Sequence, residues 1–566
     1  MTSFRPVFLV PLLAACVLLA WARPVAAVDP FQALDLARRG QQALARGDAA
    51  LAEDLASQAL DSGALRTMDR AVTYKIRGAA RQRLGLLEQA LSDYSEAIAL
   101  APSYAEAYHN RGAAWLEMGQ VRSAVNDLDK ALALRPDWDL AHFTRGRAKS
   151  ELGDQAGAVA DFTAVLEMDP GNALAWWRRG RALAAQGRGA AAEADFTKAM
   201  ELAPDTVEPL LDRGRLRLGL GDGPAAMRDF LAAIRVAPEE PMAWFDLALV
   251  RQAMDDLPGA EQAWTRTLEL AASPDVLADA RNNRGVVRDM AGRREDAVED
   301  FTEAVRLAPG RALPYANRGR TLLALGRAGE AAADLGRAIA MSPPMAALHR
   351  ARGEAFLALG KAASAAEDFS AALALDPEDT SLRVLRGRAR YMAADWTGAD
   401  EDLSAWLNGP SPQDAETRRL RGLARYMAGR WQAAERDFRS LWRLRPDTAP
   451  DPDWEARLWL RLTRLRGGLA IETLAVEACT RGSSGGDWPC PLLRFHQGGL
   501  SVQDLMAVAG DDPARSCAAA LHAGTAALVS GQRVRAVRLF RTALAAGQAD
   551  LPQRAAAAVE LSRLGF

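Results

Sequence analysis

Ten arginines in this chain of 566 residues are each followed by an aspartate sixteen positions later. In order, Arg77, Arg111, Arg145, Arg179, Arg213, Arg284, Arg318, Arg352, Arg386 and Arg421 precede Asp93, Asp127, Asp161, Asp195, Asp229, Asp300, Asp334, Asp368, Asp402 and Asp437. A guanidinium and a carboxylate kept at one spacing form a two-point ion pair, planar fork against planar acceptor. The two groups also vanish together, as Leu247 with Ala263 and as Ala523 with Leu539. Only Arg39, sixteen residues before Leu55, breaks the rule. Each of the ten arginines precedes a glycine, a dipeptide that also marks RNA-binding segments, but there it clusters in disordered sequence. The spacing instead predicts a ladder of ion pairs between neighbouring helices.

Groups suited to making and breaking bonds are scarce. His109, His142, His349, His496 and His522 are scattered, with no His-Glu-x-x-His run and no nucleophile elbow. Gly219-Leu220-Gly221-Asp222-Gly223 imitates a phosphate loop, but no strand precedes it. Cys479, Cys490 and Cys517 stand in no finger-like spacing with His496 or His522, which argues against zinc. The remaining carboxylates fall on the ladder or on solvated faces. The reading is a non-enzymatic chain without cofactor or metal. A net charge of −2 offers no basic balance for nucleic acid.

The elements that must position the ladder are legible in residues 105–138. Tyr108, Gly112, Trp115, Ala124, Leu128, Ala131 and Leu134 fall on helical stripes, Gly119 interrupts them, and Pro136 closes the unit. This is a helical hairpin about 34 residues long, which needs neighbours to bury its faces. Gly112 recurs as Gly40, Gly78, Gly146, Gly180, Gly214, Ala248, Gly285, Gly319, Gly353, Gly387, Gly422 and Gly524. Pro136 recurs as Pro102, Pro170, Pro204, Pro238, Pro309, Pro343, Pro377 and Pro446. Extra residues fall near Ser62-Gly63, near Pro274 and in Gly409-Pro410-Ser411-Pro412.

These positions resemble the tetratricopeptide repeat family over residues 33–448, with a further repeat at 517–550. The resemblance implies an all-α, right-handed superhelical solenoid of about 12–13 helix-turn-helix repeats, expected to behave as one array. The expected organisation is a signal at 1–27, a solenoid at 28–448 and a C-terminal helical region at 449–566. In that family the first helix of each hairpin lines a concave, protein- or peptide-binding face. Carried onto this chain, that face includes Phe143, Arg147, Trp177, Arg181, Leu211, Arg215, Phe245, Arg320 and Arg388. Arginine beside large apolar groups suits an extended acidic peptide or a chain terminus. A second reading keeps the aromatics as filling between repeats and the arginines as solvated groups. The function these residues imply is a partner-binding scaffold. The alternative is a structural or regulatory subunit of an envelope enzyme, polysaccharide or secretion complex.

Near the C-terminus, Trp488, Phe495 with Gly498-Gly499-Leu500-Ser501, Leu521-His522-Ala523-Gly524 and Val559 to Gly565 resemble a second family. It is an enterobacterial outer-membrane lipoprotein family of tetratricopeptide adaptors, which bring peptidoglycan endopeptidases to a protease. Of the cysteines beyond residue 27, Cys479 and Cys490 flank a Gly/Ser turn and are the preferred disulfide. Arg5, the apolar run Val7 to Trp21 and Val25-Ala26-Ala27 read as an export signal, giving a periplasmic or secreted chain. Leu13-Ala14-Ala15-Cys16 also fits a lipobox, which would make an outer-membrane lipoprotein; an uncleaved signal would likewise leave the chain membrane-bound. Mass spectrometry of the mature protein separates these readings. A chain starting near Val28 is expected, and a lipidated Cys16 or an intact Met1 would defeat soluble export.

Overall fold

The computed structural model describes residues 29–409, 413–444, 454–470, 488–546 and 551–566. Every regular element among them is a helix. Residues 1–27, Cys16 among them, and Cys479 lie outside the described residues. The chain divides into two units, residues 1–270 and 271–566. That division falls where the extra residues around Pro274 interrupt the 34-residue step.

The first unit holds seven helical hairpins, from Pro30–Ala45 with Ala49–Asp61 to Pro241–Ala253 with Leu257–Leu270. Within each, the second helix folds back on the first, and in the first six it also meets the first helix of the next hairpin. First helices of successive hairpins touch one another as well, so they share one face. Close approach is built into the sequence: a Cβ on Gly214 would lie 2.5 Å from the Phe230 ring. Left-handed turn residues reverse the chain, Gly119 at φ +71° and, in the seventh hairpin, Asp255 at φ +61°. Where the seventh hairpin carries Ala248 instead of glycine, the facing position is a fully buried tryptophan, Trp264. Hairpins are also joined through the closing proline: the indoles of Trp176 and Trp244 each donate to its carbonyl, Pro170 and Pro238, at 2.9 Å.

The second unit continues with five such hairpins, from Pro274–Met290 with Arg294–Leu307 to Ala415–Met427 with Trp431–Leu444. The helix Trp454–Gly467, expected from the sequence, packs on the last of these and on the helix Pro513–Val529. Its Trp459 joins Tyr426, Phe438, Phe540 and Leu561 in one core. The thirteenth hairpin, Pro513–Val529 with Arg533–Ala546, is followed by the closing helix Pro552–Arg563. Glu560 on that helix is fully buried between Arg466 at 2.9 Å and Arg563 at 2.8 Å. Arg563 donates on to the Met427 carbonyl at 2.6 Å, docking the closing helix on the twelfth hairpin.

Cys490 is disulfide-bonded and Cys517 is a free, buried thiol. Because Cys479 lies outside the described residues, its pairing with Cys490 stands as an expectation. A peptide map without reductant should yield the 479–490 link, and closing so short a loop stabilises by roughly 2–3 kcal/mol. A peptide joining Cys490 to Cys517 would overturn it.

Candidate functional site

All ten spaced pairs are formed within their own hairpins. In each, arginine Nε donates to one aspartate oxygen at 2.6–3.1 Å and Nη2 to the other at 2.5–2.9 Å. The aspartates are buried, and the arginines half-buried apart from buried Arg284. A third nitrogen, Nη1, reaches back one hairpin. It donates to Ser95 from Arg111, to Thr163 from Arg179, to Thr197 from Arg213 and to Thr302 from Arg318, at 2.8–3.2 Å. One side chain therefore ties two helices of its own hairpin to a third helix before it.

Six of the aspartates accept a second cation twelve residues upstream. Arg81, Lys149, Arg217, Arg288, Arg390 and Arg425 each come within 2.7–2.9 Å. Asp161 also meets His142 at 3.0 Å. Burial alone would push the Asp161 carboxyl up; hydrogen bonds from Arg145, Lys149 and His142 reverse this and hold it below the usual range.

The expected groove residues divide by role. Phe143 meets Phe162 edge-on with ring centroids 5.6 Å apart, and Phe245 meets Trp264 at 4.8 Å. Leu211 is buried, with 7 % of its surface exposed. Phe143 and Phe245 remain half-buried and Leu211 is buried, so all three contribute to packing between helices. Arg320 and Arg388 are exposed in the second unit, and no partner group converges on them. Arg147, Trp177 and Arg181 do come together.

Arg147 and Arg181 border a cleft of about 460 Å³ in the first unit, lined also by Ser150, Glu151, Gln155, Phe162, Arg178 and Ala185, while Trp177 packs against Arg178 and Arg181. The helices Asp139–Glu151 and Ala173–Ala185 carry the three arginines. Arg178 lies 4.5 Å from the Trp177 ring centroid and Arg181 lies 5.4 Å from it, two cations on one indole. Buried Nε of Arg178 has no hydrogen-bond partner. Burial, then the neighbouring Arg181 and Arg147 charges, push its guanidinium below its ordinary value, while Asp212 and Glu151 oppose them. Neither Arg147 nor Arg178 makes an ion pair among the described residues.

Beyond the cleft the charges alternate. The Trp177 indole donates to Asp212 at 2.7 Å, and Arg181 and Arg215 approach the same carboxylate at 3.6 and 3.5 Å. Arg215 Nε comes to 2.8 Å from Asp246, without hydrogen-bond alignment. Burial raises the Asp246 carboxyl to about 6, with Arg215 pulling it down and Asp212 pushing it up. Sequence reasoning missed Arg178, Asp212 and Asp246, all at the sixth position of the repeat. The signal was a spacing of 35: Trp177 to Asp212 repeats the register of His109 to Thr144 and of Asn282 to Asn317.

Residues 143–205, 211–275 and 317–380 match a family profile described as "Tetratricopeptide repeat". A second of that description matches 105–138, and one described as "TPR repeat" matches 83–119. These hairpins are tetratricopeptide repeats. A tetratricopeptide repeat protein from Parabacteroides merdae is similar at 21 % identity, over 44 % of this chain and 98 % of its own, with a TM-score of 0.35. For PilF of Pseudomonas aeruginosa the figures are 20 %, 37 %, 94 % and 0.33. For YrrB, a TPR protein with an unusual peptide-binding site, they are 20 %, 33 %, 95 % and 0.29. No curated protein matches the chain.

The ladder of this tetratricopeptide array makes two predictions. Arg179→Ala strands Asp195, 6 % exposed, and should cost on the order of 3 kcal/mol in denaturant unfolding. The depressed Asp161 carboxyl stabilises the fold above its unfolded value, about 3.9, and that contribution is lost as pH falls through its lower folded value. Thermal melting should therefore weaken below about pH 4 more in the native chain than in Asp161→Asn.

Proposed function

We propose that the protein is a partner-binding scaffold whose first-helix face takes an extended acidic peptide at the cleft of Arg147, Arg178 and Arg181. One observation carries this reading. In an array where ten arginines each grip an aspartate, Arg147 and Arg178 line an open cleft and make no ion pair among the described residues, with Glu151 the one acid in the lining. Two cations held that close repel each other, so an anionic group entering between them relieves the repulsion and gains charge-assisted hydrogen bonds. Trp177, pinned by its bond to Asp212, offers a rigid apolar surface beside them. Tetratricopeptide hairpins as a class supply such faces to proteins rather than to reactions, which supports a non-enzymatic role. The apolar run before Val28 and the C-terminal resemblance support service in the bacterial envelope as an adaptor.

The test is fluorescence anisotropy with a labelled Asp/Glu-rich peptide bearing a free C-terminal carboxylate. Arg147→Ala with Arg178→Ala should weaken binding by about 2 kcal/mol or more, roughly thirtyfold. Unchanged affinity in a folded double variant would move binding off this face.

A further inference from the structure

A separate surface in the thirteenth hairpin carries its own implication. Residues 513–566 hold seven arginines against two acids, Asp550 and Glu560, a local net of +5 in a chain whose net is −2. Four of those arginines, Arg533, Arg535, Arg538 and Arg541, lie on the helix Arg533–Ala546, which has no acid. All four are exposed, and none has a carboxylate partner among the described residues. Arg533 donates to the Leu564 carbonyl at 2.7 Å, Arg535 to Gln532 at 3.2 Å, and Arg541 lies 5.5 Å from the Phe566 ring centroid. The Arg538 side chain makes no polar contact among the described residues, though its carbonyl accepts from Thr542 at 3.1 Å.

Between this helix and Phe566 runs a groove of about 660 Å³, lined by Val534, Val537 and Ala545 as well as by the arginines. Val534 is 79 % exposed and Phe566 is 62 % exposed, so the apolar lining is open to solvent. Bare valine and phenylalanine beside unpaired guanidinium groups is a composition that neither a solvated helix nor an interior helix needs. Its complement is a segment with an apolar stripe flanked by carboxylates. The recess between Val534 and Phe566 favours side chains projecting from a helix over the flat headgroup layer of a membrane.

We infer that this groove docks an acidic amphipathic helix of a partner protein. Its apolar stripe lies along Val534, Val537 and Phe566, and its carboxylates meet Arg538 and Arg541. Because the groove is built from residues of the second unit and the cleft at Arg147 from residues of the first, the two are tested by separate substitutions. The probe is a labelled peptide of about 18 residues, with Leu and Phe at helical spacing and Glu on the flanks, titrated into the full chain. A counterpart with Lys for Glu serves as control. Arg538→Glu with Arg541→Glu should weaken binding at least about tenfold. Affinity should also fall as salt rises from about 50 to about 300 mM. Val534→Asp, which keeps the arginines, should weaken the same peptide and guards against a folding defect in the charge-reversed variant. Equal binding by the native chain and Arg538→Glu/Arg541→Glu overturns the inference, as does loss only in the Arg147/Arg178 variant. Binding of anionic phosphatidylglycerol vesicles in place of the peptide would assign the groove to a membrane surface. Self-association in sedimentation without peptide binding would assign it to a second copy of the chain.

Discussion

A buried aspartate held by both forks of an arginine is the interaction on which the rest of this structure depends. Each ladder carboxylate is removed from water between two helices, where an unpaired charge would cost several kcal/mol. The arginine repays this only if both its helix and its partner's helix are in register. Since its third nitrogen also reaches the preceding hairpin, one side chain specifies intra-hairpin and inter-hairpin geometry together. Repeats that lack the pair show the other permitted solution. Leu247 and Ala263 are fully buried at those positions, and Ala523 is 1 % exposed. An apolar pair and an ion pair both close the gap, whereas half of either strands a group. That is why the two residues come and go together. Arg39, the exception, is exposed and lies 3.9 Å from Asp35 on its own helix, so it needs no aspartate at position 55.

The same logic explains what the sequence made legible. Hairpin number, turn positions and the ladder repeat along the chain, so each column is sampled many times within one molecule. A pair such as Arg179 and Asp195 is visible because its neighbours, Arg145 with Asp161 and Arg213 with Asp229, obey the same step. The cleft is built from departures from the repeat. Arg178 stands where other hairpins have Asn110 or Thr144, and only the register of 35 shows that this position faces the preceding hairpin. Helical spacing also placed Phe143 and Leu211 on the groove, because it assigns a face but not a depth. Leu211 lies deep enough to be covered by its neighbours, and Phe143 turns onto Phe162.

Set against the ladder, the arginines of the cleft are electrostatically unlike their neighbours. Arg145 and Arg111 are stabilised by aspartates, and their guanidinium groups sit above their ordinary values. Arg178 sits below its own, pressed by burial, Arg181 and Arg147. Glu151 and Asp212 oppose that push, but neither forms an ion pair with Arg178 among the described residues.

Two buried carboxylates of the first unit titrate with opposite consequences. Asp161, depressed by its three cations, favours the fold when ionised and gives that up only in acid. Asp246, raised to about 6 by burial, opposes the fold when ionised: its contribution is present below the unfolded value and lost as pH rises through 6. Between about pH 4 and pH 6, then, Asp161 is charged while Asp246 is largely neutral. Arg215, 2.8 Å away, loses that counter-charge in this window and keeps only the 3.5 Å approach to Asp212, which it shares with Arg181. The first-helix face gains net positive charge there without any change in the frame that displays it. Under the proposed function, mild acid would strengthen the attraction of this face for an acidic segment until the segment's own carboxylates protonate, which would confine the effect to a narrow band of pH.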